Sequence, residues 1–354
     1  MKAASRGFAI ATCIISLTYF GYLTRGHLDT ETRIIDHDQK HTEIFRPIDI
    51  QDMNASESEA VDQVNAVNRR SSHLNLKFKN NAGKLTVKTR GRLGNQMFQF
   101  AALIGLSERF NMIPTYHRSM VSLTHIFNVS QRPVIVDSEF NLKLKESTGM
   151  GGVDEKLLNR ISNNVNTRLK GFFQGLDYFS NAEDIIRQEL VFQPAIRQTA
   201  MDKFEKVNPG LWGSNSTKIG IHIRRGDFLG RGSQKKGRTL APKEFYTKAM
   251  THMLSLYPES VFIVAEIEKD WASENLKEFG SLFFTGKGTT PEEDMLLLST
   301  CDHVIISSGS FSWWVGWLNK GTVVYFDLYP TIGSPLRKRF DPNKYYPAQW
   351  IPMH

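Results

Sequence analysis

From Lys218 to Phe326 the chain repeats one pattern: a short β-branched apolar run, then a stretch with helical spacing. Ile219-Gly220-Ile221-His222-Ile223 alternates like a strand, and Pro242 to Tyr257 follows as a helix with Pro near its start. Ser260 to Ala265, His303 to Ile306 and Thr322 to Phe326 read as further strands, with helices over Trp271–Phe279, Glu292–Thr300 and Phe311–Leu318. Strands that alternate with helices form parallel βαβ units. An earlier block has the same grammar: a strand at Leu85–Thr89, a glycine-rich turn at Gly91–Asn95, and a helix over Gln96–Phe110. Val134–Val136 and Leu169–Phe173 read as strands, and Ala182–Leu190 as a helix capped by Asn181. The fold class expected is α/β, with two Rossmann-like domains facing a cleft. In such sheets the ligand lies at the carboxyl ends of the strands, so the loops there are the places to search.

The N-terminus is different in kind. Gly7 to Leu23 carries no charge and would span roughly 25 Å as a helix, the short end of the membrane-spanning range. Lys2 and Arg6 precede it, which places the N-terminus in the cytosol and the bulk of the chain in the lumen. A cleaved signal peptide is the alternative, but Tyr22-Leu23 and Thr24-Arg25-Gly26 match a small-x-small cleavage site poorly. Residues 24–80 are polar and without sustained periodicity, and read as a stem. The expected organisation is a cytoplasmic tail (1–6), a transmembrane signal anchor (7–23), a stem (24–80), an N-terminal domain (81–212) and a C-terminal domain (213–354). Sequons at Asn54, Asn128 and Asn215 fit a lumenal body. Of two cysteines, Cys13 falls in the anchor, so a lumenal intrachain disulfide is impossible and Cys301 reads as a small core residue.

Composition excludes several classes. With 44 Lys+Arg against 36 Asp+Glu the net charge is +8, and the cations are spread along the chain apart from a cluster at Arg224–Arg238. That points to a local anionic ligand; no nucleic-acid-binding signature is present. No CxxC or His/Cys cluster offers a metal site, and no DxD motif falls within the domains from residue 81 on.

Three loops could carry chemistry. His222-Ile223-Arg224-Arg225-Gly226-Asp227 leaves the end of a buried strand. If the arginines alternate, at least one points into the cleft, where a guanidinium fork binds phosphate oxygens bidentately. A pair of surface arginines is the plainer reading. Ser307-Ser308-Gly309-Ser310-Phe311-Ser312 runs from a strand into a helix, whose free N–H groups make an anion site. Ordinary serine N-capping competes with it. Arg90 to Gln96 lets a ligand approach the backbone closely but is not a dinucleotide motif. Gly232 to Thr239 only approximates a P-loop and reads as a flexible basic loop at the cleft mouth.

These loops together resemble the alpha-1,2-fucosyltransferase family, glycosyltransferase family 11, over about residue 84 to the C-terminus. The carrying motifs are Gly91-Arg92-Leu93-Gly94-Asn95-Gln96-Met97-Phe98-Gln99-Phe100, His222-Ile223-Arg224-Arg225-Gly226-Asp227-Phe228 and Ser307-Ser308-Gly309-Ser310-Phe311-Ser312-Trp313-Trp314. Gly171-Phe172-Phe173-Gln174 and Tyr345 to Trp350 add to them. The resemblance implies a GT-B fold, a type II Golgi membrane protein and an inverting transfer of L-fucose from GDP-fucose to galactose on a galactose-terminated glycan, with no cofactor and no metal. It implies that His222, Arg224, Ser308, Ser310, Phe311 and Ser312 hold GDP, that Arg225 assists, and that Arg92, Gly94 and Asn95 lie on the acceptor side. Where many members carry Ser-Asp-Asp this chain has Ala265-Glu266-Ile267, so Glu266 is expected to take the acid's place on guanine. Asp227 is the motif carboxylate nearest to hand as a base. Another acceptor, or a silent lumenal homologue, remains the alternative, and a homodimer is compatible with this class.

Overall fold

The computed structural model describes residues 81–266, 269–286 and 288–354, with the side chains of Glu266 and Lys269 left out. The anchor expected at 7–23, the stem at 24–80 and the sequon at Asn54 lie outside the described residues. Among the described residues no helix is long and apolar enough to cross a membrane.

Among the described residues twelve strands form three sheets, and every ladder between them is parallel. In chain order they are β1 (Lys84–Val87), β2 (Ile113–Pro114), β3 (Tyr116–His117), β4 (Val134–Ile135), β5 (Leu142–Lys145), β6 (Thr167–Lys170), β7 (Thr217–Ile223), β8 (Ser260–Glu266), β9 (Leu282–Phe284), β10 (His303–Ile306), β11 (Val323–Phe326) and β12 (Ile351–Met353). The first large sheet has the order β2-β1-β6-β5, the second β12-β11-β10-β7-β8-β9, and β3 pairs with β4 alone.

The orders locate two crevices. In the second sheet the chain grows from β7 through β8 to β9 on one side, then returns to lay β10 to β12 on the other. The reversal falls between β7 and β10, where ligands bind in open parallel sheets. In the first sheet it falls between β1 and β6. The loops that leave β1, β6, β7 and β10 are therefore the ones the topology exposes at a shared end.

Several elements begin or end elsewhere than the sequence pattern indicates. The first long helix spans Leu93–Phe110, so Gly94 and Asn95 lie in its first turn instead of in a preceding loop. Asn181 does not cap the Glu183–Glu189 helix; its side-chain amide donates to the Gly105 carbonyl at 3.0 Å, and Ala182 holds the cap position without a side-chain bond. β7 stops at Ile223, so Arg224 and Arg225 follow the strand and do not alternate along it. The 232–239 stretch holds a helix, Arg231–Lys236, closed by Gly237 in the left-handed region.

The core does not divide by sheet. One continuous apolar cluster contains Met97, Phe98 and Ala101 of the Leu93–Phe110 helix together with Met295–Leu298, Trp313 and Trp314 from the second half of the chain. The Phe98 ring sits 4.5 Å from Trp313 and 5.1 Å from Trp314. Trp313, Trp314 and Trp317 are all buried, as packing residues on a helix body should be, and Cys301 is buried and free.

Candidate active site

β7 delivers His222 and Arg224 to the crevice. His222 is buried, and its Nδ1 lies 2.6 Å from Ser312 Oγ. Burial, reinforced by the charge of Arg224, pushes the imidazole down to about 3, so it is neutral at physiological pH. The Ser312 hydroxyl donates to the Ser308 carbonyl at 3.0 Å. The Ser312 hydroxyl thus bridges the Ser308 carbonyl and His222 Nδ1. His222 also packs its ring 4.7 Å from Phe311. This network locks the loop after β10 onto the end of β7.

Arg224 is the centre of the site. Its backbone N–H donates to Ser307 Oγ at 3.1 Å, and its Nη2 donates to both Asp227 oxygens, at 3.1 and 3.0 Å. The guanidinium carbon stands 4.7 Å above the Phe228 ring. Nη1 faces Gly309, the residue before the Ser310–Leu318 helix; a Cβ there would lie 3.5 Å from it. Gly309 has φ 94°, a left-handed value that a side chain would oppose. The guanidinium thus sits beside a helix N-terminus whose first N–H groups have no carbonyl partner within the helix. Arg224 Nε is buried without a hydrogen-bond partner among the described residues. A buried orphan donor is costly unless a ligand meets it.

Asp227 gathers further cations. Arg92 Nη1 is 3.8 Å and Arg238 Nη1 3.9 Å from its Oδ2. With both oxygens on Arg224, the carboxylate aligns that guanidinium. Arg225 turns away and stacks over Trp271 at 4.6 Å, bracing the loop against the Lys269–Asn275 helix.

The first sheet closes the other side. Asn95 Oδ1 accepts from Ser310 Oγ at 3.0 Å and from Gln174 Nε2 at 2.8 Å. Gly94 sits so close to the helix start that a Cβ would fall 2.6 Å from the Phe311 nitrogen. Three motifs more than 70 residues apart in sequence therefore meet at one point. Ser312 and Ser308 have their hydroxyls turned inward, on His222 and on the Thr239 carbonyl. The backbone of Glu266 pairs with Ile223 at the end of β8, at the same rim; its side chain lies outside the described residues. Asn128 and Asn215 are both exposed.

Supporting residues set these loops, and one of them, Glu146, carries no motif signal. Glu146, at the end of β5, accepts the N–H groups of Phe172 and Phe173 at 2.7 and 3.0 Å. It holds Phe173 at φ 51°, a rare value for a residue with a side chain, and so presents Gln174 to Asn95. Burial holds the Glu146 carboxyl above its ordinary range. Gln99 bridges the Arg90 N–H and the Gly171 carbonyl at 2.9 and 2.8 Å. Gln99 lies in the Gly91–Phe100 motif and Gln174 in the Gly171–Gln174 segment, so of these residues only Glu146 goes unmarked in the sequence. A recess of about 710 Å³ lies at the amino ends of β7 and β10, lined by Ser214–Lys218, Tyr257 and His303. It is on the opposite edge of the sheet from Arg224.

An arginine beside a helix N-terminus at the reversal point of a parallel sheet defines an anion site of the kind that nucleotide phosphates occupy. The chain belongs to glycosyl transferase family 11, whose sequence profile matches residues 57–354. Among its relatives, galactoside alpha-(1,2)-fucosyltransferase 1 of Homo sapiens is 26% identical over 278 residues, covering 76% of this chain and 75% of that protein. The Gorilla gorilla gorilla protein of the same name is 28% identical over 286 residues, with the same coverage. Among solved structures, an Arabidopsis thaliana FUT1 mutant in complex with GDP gives a TM-score of 0.48 at 11% identity, covering 82% of this chain and 79% of that one.

Proposed function

We propose that the protein is an inverting fucosyltransferase that moves L-fucose from GDP-fucose to a galactose hydroxyl, forming an α1,2 link. The observation that carries this reading is the junction of Arg224, the start of the Ser310–Leu318 helix and Asn95 at one crevice. Family membership and the names of the relatives supply the donor and the linkage.

In this reading the acceptor hydroxyl oxygen bonds to C1 of fucose as the bond from C1 to the phosphate oxygen breaks, and the hydroxyl proton passes to solvent. The electron pair leaves with GDP, and the configuration at C1 inverts from β to α. Negative charge grows on the diphosphate during that step. Arg224 and the helix N-terminus are fixed donors that stabilise charge as it develops, without reorganisation. Asp227 keeps the guanidinium aligned, and His222, neutral and locked to Ser312, fixes the loop geometry. Among the described residues no group of three His, Cys, Asp or Glu side chains could hold a metal ion. In this reading the charge on the leaving group falls to the protein's own cations, Arg224 foremost. Glu266 takes the guanine-recognising position, and Arg92 and Asn95 border the acceptor. The two sheets take the roles of the two GT-B domains, and the chain is anchored as a type II Golgi membrane protein through 7–23, with glycans at the sequons.

The test is transfer from GDP-fucose to a simple β-galactoside in EDTA, with the product linkage read by NMR. An α-fucosyl group on galactose O2 is expected. Release of GDP without any fucosylated galactoside, or activity that requires added Mn²⁺, would overturn the reading.

A further inference from the structure

Beside the donor crevice lies a surface the proposed chemistry does not use. From Phe228 to Thr239 and from Leu328 to Phe340 the sequence contains no Asp or Glu. The two stretches are held together as one plate. The Thr331 N–H donates to the Gly237 carbonyl at 3.0 Å and the Leu336 N–H to the Lys236 carbonyl at 3.2 Å, while the Thr239 and Thr331 hydroxyls meet at 2.6 Å. The plate carries Arg231, Lys235, Lys236, Arg337, Lys338 and Arg339, all exposed except the half-buried Arg337. Among the described residues, Arg231, Lys235, Lys236, Arg337 and Lys338 form no ion pair.

Its position ties it to the reaction. Ser308 Oγ donates to the Thr239 carbonyl at 3.2 Å, and Arg238, at the end of the first stretch, reaches Asp227. On the other side the plate touches the loop after β5: the Asp341 N–H donates to the Met150 carbonyl at 3.0 Å and Arg339 to the Ser147 carbonyl. It therefore borders both sheets at the crevice rim. The nearby carboxylates are already engaged, Asp227 by Arg224 and Asp341 by the Asn343 N–H. Like charges held this close repel one another, so a plate without counter-charges implies an anionic occupant.

We infer that the acceptor is an acidic glycan, whose sulfate ester or carboxylate sits on this plate while its galactose enters the crevice. The inference rests on the fucosyl-transfer reading above and deepens it. A sulfate and a uronate share the chemistry the plate recognises: a compact oxyanion that accepts from guanidinium and ammonium donors. A membrane surface fits less well, because the plate is continuous with the donor loops and lies at the crevice rim.

The test compares a neutral β-galactoside with the same galactoside bearing a 6-sulfate, and with one linked to a uronic acid, using the full chain in neutral detergent at low and high salt. The expected result is a kcat/KM about tenfold higher for one or both charged acceptors at low salt, carried by KM and shrinking as salt rises. In the triple variant K235E/K236E/K338E that ratio should fall to about one. The sulfate and uronate arms tell which oxyanion is preferred. Equal kcat/KM for charged and neutral acceptors, with fucose transfer intact, would overturn this inference and leave the fucosyl-transfer reading standing. Absence of GDP-fucose turnover with every acceptor would instead remove the reading beneath it. Vesicles of phosphatidylserine in phosphatidylcholine give the remaining arm. Vesicle binding lost in the triple variant, with acceptor kinetics unchanged, would assign the plate to lipid and overturn the inference.

Discussion

At the scale of residues, the loops that the structure brings together around Arg224 were legible because their chemistry is written in local motifs. An arginine one step past a buried strand, and serines at a strand-to-helix junction, announce an anion site without any tertiary information. The contacts that aim them were not legible. Glu146 acts through backbone amides of a neighbouring strand end and nothing in its neighbourhood marks it; Gln174 lies in a motif, but its bond to Asn95 is not local. Ser312, placed at the helix start by its motif, also has a role no motif spells out: its hydroxyl meets His222 and the Ser308 carbonyl. Glu146 gives a test with a definite sign. Its folded value is raised by burial, so the stability linked to it is fully present below the ordinary carboxyl value of 4.5 and is lost as pH rises through the raised value. Glu146→Gln keeps an acceptor for the Phe172 and Phe173 amides but cannot ionise. Stability of wild type minus that of the variant should therefore decline with rising pH above about 4.5, measured by denaturant melts. A difference that stays flat, or rises, would contradict the placement of this carboxyl.

Among the elements, the central strands β7, β8 and β10 were readable because they are continuous apolar runs buried on both faces. The edges were not. β2 has two residues and β12 three, too short for periodicity, and β5 reads Leu-Lys-Leu-Lys, a half-exposed edge pattern. The Arg231–Lys236 helix has no apolar face at all, so no moment could reveal it. Two substitutions probe how the elements are joined. Gly94→Ala pushes a methyl into the start of the Ser310–Leu318 helix; about 1–3 kcal/mol of stability should be lost, and fucose transfer with it. A fully stable, fully active variant would mean the two helices do not meet there. Arg132 and Glu189 form a buried ion pair, with a 3.3 Å bond from Nη1 to Oε2, that joins the chain before β4 to the Glu183–Glu189 helix. Removing one partner strands the other, so Glu189→Ala should cost about 3–5 kcal/mol. Arg132→Met with Glu189→Leu should recover most of it, and a double variant as unstable as the single would show that packing, not charge, holds the join.

For the whole molecule, the two-sheet α/β architecture was legible from strand and helix alternation, but the sharing of one core was not. Phe98 on the first helix packs against Trp313 and Trp314 more than 200 residues away, a contact that no local pattern encodes. A shared core means that neither sheet keeps a complete apolar interior without the other. Scanning calorimetry should accordingly show the body unfolding in one transition, and two well-separated transitions would contradict the shared core. The account as a whole rests on Arg224 meeting the charge that grows on the leaving diphosphate. The most direct measurement is kcat for fucose transfer, alongside the affinity for GDP, in wild type and Arg224→Ala. Loss of a fixed donor at a developing anion should lower kcat by about 10²–10³-fold, well beyond any loss in GDP binding. A variant that turns over at near the wild-type rate would contradict the central claim.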